Sequence, residues 1–166
     1  MEPLSEDKFT GDINENIGII HKICNIYFTG EHDRQDAGQE ILYQLWRSYP
    51  SFKGDSKFST WMYKVALNTA IAYMKKSNRE ASSDVLPEQL GHLAESSDQY
   101  GNPDKMSILY TAINTLSEID KAITLLFLED NSYDEISSIT GITKSNVSVR
   151  LVRIRKALKE KLKHII

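Results

Sequence analysis

The sequence predicts an all-α protein made of two small helical domains joined by a flexible linker. Apolar residues recur at helical spacing along nearly the whole chain, as in Ile13, Ile17, Ile20, Cys24 and Tyr27. The same period runs through Ala37, Ile41, Leu45 and Tyr49, and through Phe58, Met62, Val65, Thr69 and Tyr73. No stretch alternates convincingly with period two, so strands are not expected. Between Ser77 and Pro103 apolar residues become sparse among serines, glycines and prolines, which marks the linker. The expected division is residues 1–78, a linker over 79–103, and a second domain over 104–166.

Each element has a local reason. The first helix should close at Phe28-Thr29-Gly30, with Gly30 suited to the position just past a helix end. Asp33 and Asp36 suit the start of the next helix, where carboxylates meet its positive end. Pro50 to Ser56 should form a loop around Gly54, and Ser59 or Thr60 can cap the third helix. In the second domain, Met106, Leu109, Ile113 and Leu116 form one stripe; Ile119, Ile123, Leu126 and Phe127 form another.

The segment from Ser132 to Leu162 carries the most information. Tyr133, Ile136 and Ile139 mark a short helix with Ser132 as its N-cap. Gly141 follows where a tight turn needs positive φ, Ile142 plugs the corner, and Thr143 caps a long second helix. Val147, Leu151, Ile154, Leu158 and Leu162 form its inward face. The opposite face carries Ser145, Ser148, Val149, Val152, Arg153 and Lys156. Two valines among hydroxyls and cations are unusual for a face that merely meets water. They suit a DNA major groove, where Arg153 can reach a guanine edge or a phosphate and a valine can touch a thymine methyl. The plainer alternative is a helical hairpin with a solvated basic end.

Charge is segregated in the same sense. The net charge is −3, which by itself argues against binding nucleic acid. From Lys144 to Lys163, however, eight cations face one anion, Glu160. A second stretch, from Pro50 to Arg79, mixes Lys57, Lys64, Lys75 and Lys76 with Phe58, Trp61, Tyr63 and Tyr73. Aromatic faces can stack on unpaired bases while cations hold the backbone. Phe58 and Tyr73 fall on the apolar stripe and suit the core; Trp61 suits either role.

Other chemistries find little support. The four histidines and the single cysteine, Cys24, show no metal-ligand spacing. No phosphate-binding glycine loop or nucleophile motif appears, so neither catalysis, a cofactor nor a metal is expected. The lone cysteine permits no intrachain disulfide and fits a reducing cytosol. No apolar run approaches a membrane span, and no signal-peptide pattern opens the chain, so a cytoplasmic protein without direct membrane insertion is expected.

Three segments together resemble a known family. Asp33-Arg34-Gln35-Asp36-Ala37-Gly38-Gln39-Glu40 looks like the acidic helix start of region 2 in sigma-70-type transcription factors. Phe52 through Ala70 is similar to that family's promoter-melting segment, and Tyr133 through Leu158 resembles its region 4. The order is right, and nothing in the sequence resembles regions 1.1 and 3, which points to the small extracytoplasmic-function (ECF) group.

The resemblance implies partners and roles. Core RNA polymerase would be bound through its β′ clamp helices by Asp36, Gln39, Glu40, Leu42 and Trp46, with region 4 meeting the β flap. For Asp36 and Glu40 the plainer alternative is helix capping and solvation. Lys57, Trp61, Lys64, Asn68, Lys75 and Lys76 would meet the promoter −10 element as it opens. Ser148, Val149, Val152 and Arg153 would read the −35 element, with Lys144, Ser145 and Arg150 nearer the DNA backbone. An anti-sigma factor is a further implied partner. Two departures stand out: Ala37 and Gly38 replace a larger apolar pair, and Ser148 and Val149 replace a commonly basic and polar pair. The rival reading is a stand-alone helix-turn-helix regulator, which would bind DNA without polymerase and leaves the Trp61, Tyr63 and Asn68 string unexplained.

Overall fold

The computed structural model describes Glu6 to Asp84 and Lys105 to Ile165, and among these residues all regular structure is helical. The first unit comprises α1 (Glu6–Glu15), α2 (Ile17–Tyr27), α3 (Glu31–Ser48), a 3-10 turn (Tyr49–Ser51) and α4 (Phe58–Asp84). The second comprises α5 (Lys105–Ile113), α6 (Glu118–Leu128), α7 (Tyr133–Thr140) and α8 (Lys144–Ile165).

Several boundaries differ from the sequence expectation. The first helical stripe is two helices, because the backbone breaks at Asn16 (φ −120°, ψ 17°). There the Asn16 side chain donates back to the Asp12 carbonyl at 2.9 Å, the local competition that makes asparagine a poor mid-helix residue. Gly30 does not close a helix in the left-handed region; it precedes α3 with φ −88°, and α3 begins at Glu31 rather than near Asp33. The third helix starts at Phe58, ahead of both expected caps, with the Trp61 amide donating to the Lys57 carbonyl at 3.2 Å. It runs on to Asp84, through the first residues of the expected linker; 85–103 lie outside the described residues.

The core of the first unit is set by α2, α3 and α4. Ile23, Ile41, Leu45 and Met62 are fully buried. Ala37 is buried, and a Cβ on Gly38 would stand in ordinary van der Waals contact, 3.8 Å from Ile20 and 4.0 Å from the Cys24 sulfur, so an alanine would fit there. Burial pushes the Cys24 thiol up to about 11, against a smaller opposing pull from Arg34. That lies well above the usual thiol range, so far less thiolate is present at neutral pH than for a free cysteine. Cys24 is expected to react with a disulfide reagent at pH 8 at least about tenfold more slowly than a free thiol, because it is both buried and held protonated, and at the free rate once the chain is denatured.

In the second unit, α7 and α8 pack on α6, and α5 packs on α8. Ile123, Leu126, Ile136 and Val147 are fully buried where they meet. The two units also share one apolar core, with α2 packed on α5 and α6, and α4 packed on α7.

Candidate nucleic-acid interface

The helix-turn-helix forms as its sequence dictates. The Ser132 hydroxyl accepts from the Glu135 amide at 3.1 Å, and the Glu135 carboxylate accepts from the Ser132 amide at 3.2 Å, a complete capping box. Gly141 takes φ 77°, a conformation costly for any residue with a Cβ. Thr143 then accepts from the Asn146 amide at 3.3 Å, opening α8.

On α8, Val147, Leu151 and Ile154 are buried, as the spacing requires. Leu158 and Leu162 are only half-buried, Leu158 packed against the margin of the core. Ser145, Ser148, Val149, Val152 and Arg153 are all exposed, with Val149 at 48% and Val152 at 64%. At roughly 100° per residue these five fit one continuous face. Arg150 points off that face and is half-buried, with its guanidinium 2.9 Å from Asp120 of α6. Lys144 also lies to one side, 3.3 Å from Asp134 of α7. Both cations therefore brace the motif and flank that exposed face. Arg155 stacks over Phe127 at 4.8 Å, a second brace between α8 and α6.

A second polar face runs along α4. Lys64, Asn68 and Lys75 are exposed, and Trp61 is half-buried. Positions 61, 64, 68 and 75 fall within roughly 60° of one another and span about 20 Å of helix. That length matches several nucleotides of an extended single strand. Trp61 is held at one end by Tyr49, Phe52 and Phe58, with ring centroids 6.2, 5.3 and 5.4 Å away. The indole is thus a member of an aromatic cluster whose partly exposed side adjoins the lysine stripe. Lys57 precedes the helix, exposed, in the loop that Gly54 turns with φ 79°. Lys76 stands apart from the stripe: with Asn68 and Tyr73 it lines a cleft whose other wall is Glu40 and Gln44 of α3. Burial raises the Tyr73 phenol first, and Asp36, Asp33 and Glu40 raise it further, so α3 imposes a negative field on that cleft.

The outer face of α3 carries a different chemistry. Leu42 and Trp46 are exposed at 37% and 43%. Gln39 lies beside them, then Tyr43 at 56% exposure, then Asp36, and Glu40 at the far margin. The arc covers about 160° and grades from apolar to acidic. Tyr43 was not among the residues singled out from the sequence, although its spacing of four from Gln39 is the signal for a shared face. Glu40 accepts from Gln44 at 3.0 Å and turns toward the α4 cleft rather than toward Trp46.

Comparison with known proteins gives this arrangement a family. Residues 13–80 match the family model for Sigma-70 region 2, and residues 106–158 match that for Sigma-70, region 4. The ECF RNA polymerase sigma-E factor of Escherichia coli (strain K12) is 33% identical over 163 residues, covering 88% of this chain and 83% of that protein. The sigma-E factor of Haemophilus influenzae is 30% identical over 146 residues, covering 81% and 77%. The fold matches the sigma factor RpoE of Bartonella quintana, crystallised with the anti-sigma factor NepR, with a TM-score of 0.74 at 21% identity over 93% of this chain and 96% of that one. It also matches CnrH, solved in complex with the cytosolic domain of CnrY, with a TM-score of 0.69 at 16% identity over 97% and 91%. A stand-alone regulator would share the helix-turn-helix but not region 2. With both regions matched in order, the chain belongs to the sigma-70 family of RNA polymerase sigma factors, as a member of its ECF group.

Proposed function

We propose that this sigma factor divides its work among three faces. The Gln39, Leu42, Tyr43 and Trp46 face of α3, with Asp36 and Glu40 at its acidic margin, docks on the β′ clamp helices of core polymerase. The Trp61, Lys64, Asn68 and Lys75 stripe of α4, with Lys57 and Lys76 at its edges, holds the −10 non-template strand. The Ser145, Ser148, Val149, Val152 and Arg153 face of α8 reads the −35 element, while Lys144 and Arg150 flank the backbone and region 4 meets the β flap. The observation that carries this reading is the α4 stripe: one aromatic, one amide and two cations on a single exposed line. The amide of Asn68 both donates and accepts, as reading a base edge requires.

The chain directs the polymerase's chemistry and performs none itself. Its working compartment is the cytoplasm, where its polymerase is; among the described residues no helix is long and apolar enough to cross a membrane. An anti-sigma factor is a further partner, in line with the complexes in which RpoE and CnrH were solved.

The test is run-off transcription with core polymerase over a promoter library. Asn68→Ala and Arg153→Ala should each reduce specific initiation by about fivefold to a hundredfold, the range for losing one good base contact. The two losses should map to the −10 and −35 elements respectively. No initiation with core polymerase, and duplex binding by the chain alone, would refute the assignment.

A further inference from the structure

Two helix starts in the second unit are capped differently. At α7, the Glu135 carboxylate turns back to the Ser132 amide and completes the capping box. At α6, the Ser117 hydroxyl accepts from the Asp120 amide at 3.3 Å, and only that half of the box is made. The Asp120 carboxylate reaches instead to Arg150 of α8, 30 residues on, and accepts from its Nη1 at 2.9 Å.

Asp120 is well fixed for this contact. Its amide is tied to Ser117, and its carbonyl accepts from the hydroxyl of buried Thr124 at 2.7 Å. The side chains of Asp120 and Arg150 are 26% and 40% exposed. The pair is therefore less screened by water than Lys144 and Asp134 on the other flank of α8, at 61% and 76%. Arg150 lies roughly 60° around α8 from Arg153, at the edge of the exposed face. Asp120 engages one of its terminal nitrogens. A guanidinium carries its N–H donors in one rigid plane, so fixing one edge aims the others.

We propose that Asp120 is a positioning residue for −35 reading: it holds the Arg150 guanidinium so that its remaining N–H donors meet a DNA phosphate beside Val149 and Arg153. A phosphate contact of fixed geometry sets the register in which α8 lies in the groove. Without Asp120 the arginine keeps its charge and loses its aim. Asp120 thus supports binding to a polyanion although its own charge opposes it. This inference rests on the assignment of the α8 face to the −35 element.

The experiment uses holoenzyme assembled from the full chain and core polymerase. The probes are a promoter duplex recovered from the run-off library and the same duplex with its −35 segment scrambled, each titrated across a salt series. Charge alone predicts that Asp120→Asn, which removes an anion near DNA, tightens binding to both. The positioning role predicts the reverse for the promoter: about twofold to tenfold weaker binding, the range for one hydrogen bond, with no weakening on the scrambled duplex. The salt slope on the promoter should fall by about one, as for one lost phosphate contact. Arg150→Lys, which keeps the charge without the planar fork, should weaken promoter binding likewise. In an Arg150→Ala background, Asp120→Asn should have no further effect. Promoter binding by Asp120→Asn that is equal or tighter, equal weakening on both duplexes, an unchanged salt slope, or a full effect in the Arg150→Ala background overturns the inference. Failure of the parent chain to initiate in the run-off assay overturns the functional assignment instead, so the two failures are separable.

Discussion

Trp46→Ala is expected to weaken binding to core polymerase by at least about thirtyfold while the helical fold survives. Binding energy at protein interfaces concentrates in a few aromatic and arginine anchors, and truncating one costs about 2 kcal/mol or more. Trp46 is the largest exposed apolar side chain on α3, and Leu42 and Tyr43 on the same arc give it apolar neighbours. Its intramolecular role is smaller: its ring meets Phe9 edge-on with centroids 5.0 Å apart. Losing such a contact costs about 0.5–1.5 kcal/mol beyond buried area. The two effects are separable, because a fluorescence titration against core polymerase reads the first and thermal melting reads the second. Tyr43→Ala should act in the same direction, whereas Asp36→Arg should mainly slow association and change its salt dependence, as a rim charge does. Tight polymerase binding by Trp46→Ala would remove α3 from the docking surface.

Ile136→Ala should cost the second unit about 2–5 kcal/mol, the range for removing a buried large aliphatic side chain. Ile136 is 0% exposed and sits in α7, the helix that connects the helix-turn-helix to both α6 and α4. Whole domains are stable by only about 5–15 kcal/mol, so this loss is a large fraction of the total. A lower melting temperature and loss of −35-dependent initiation should appear together. Ile136→Val, which removes one methylene, should cost about 0.5–1.5 kcal/mol and leave initiation measurable. Val152→Ala provides the contrast: its side chain is 64% exposed, so stability should change within about 0.5 kcal/mol. Any loss of promoter specificity in Val152→Ala then belongs to the DNA contact alone. Equal melting temperatures for Ile136→Ala and the parent would show that the cavity collapses around α7 without penalty.

What could be read from the chain follows from the range of the forces involved. The capping box at Ser132 and Glu135, the left-handed Gly141 and the buried line through Val147, Leu151 and Ile154 all arise within one or two helical turns. Interactions of that range are written in the spacing itself. The exposed valines at 149 and 152 were legible for the same reason: once the inward line is known, the outward one is its geometrical complement. Tyr43 was legible in principle by that rule, but the composition of α3 drew attention to its acids. The break at Asn16 was hidden because the apolar period continues across it; a side-chain hydrogen bond to Asp12 decides the backbone there.

The all-helical architecture, the helix-turn-helix and the sites of its caps were thus decided locally, by residues three and four apart. The closed arrangement of the two units was not. Tyr27 and Glu118 are separated by 91 residues, and nothing in either neighbourhood marks the other as its partner. The same holds for Lys22 with Glu129 and for Arg150 with Asp120, where a charge is visible in the sequence and its counter-ion is not. Leu158 and Leu162 make the point in reverse: their spacing demands an inward face, yet both are only half-buried, Leu158 against the margin of the core. Periodicity says which side of a helix is apolar. Only three-dimensional packing determines what covers it, because burial depends on the volume that distant segments bring to the same place.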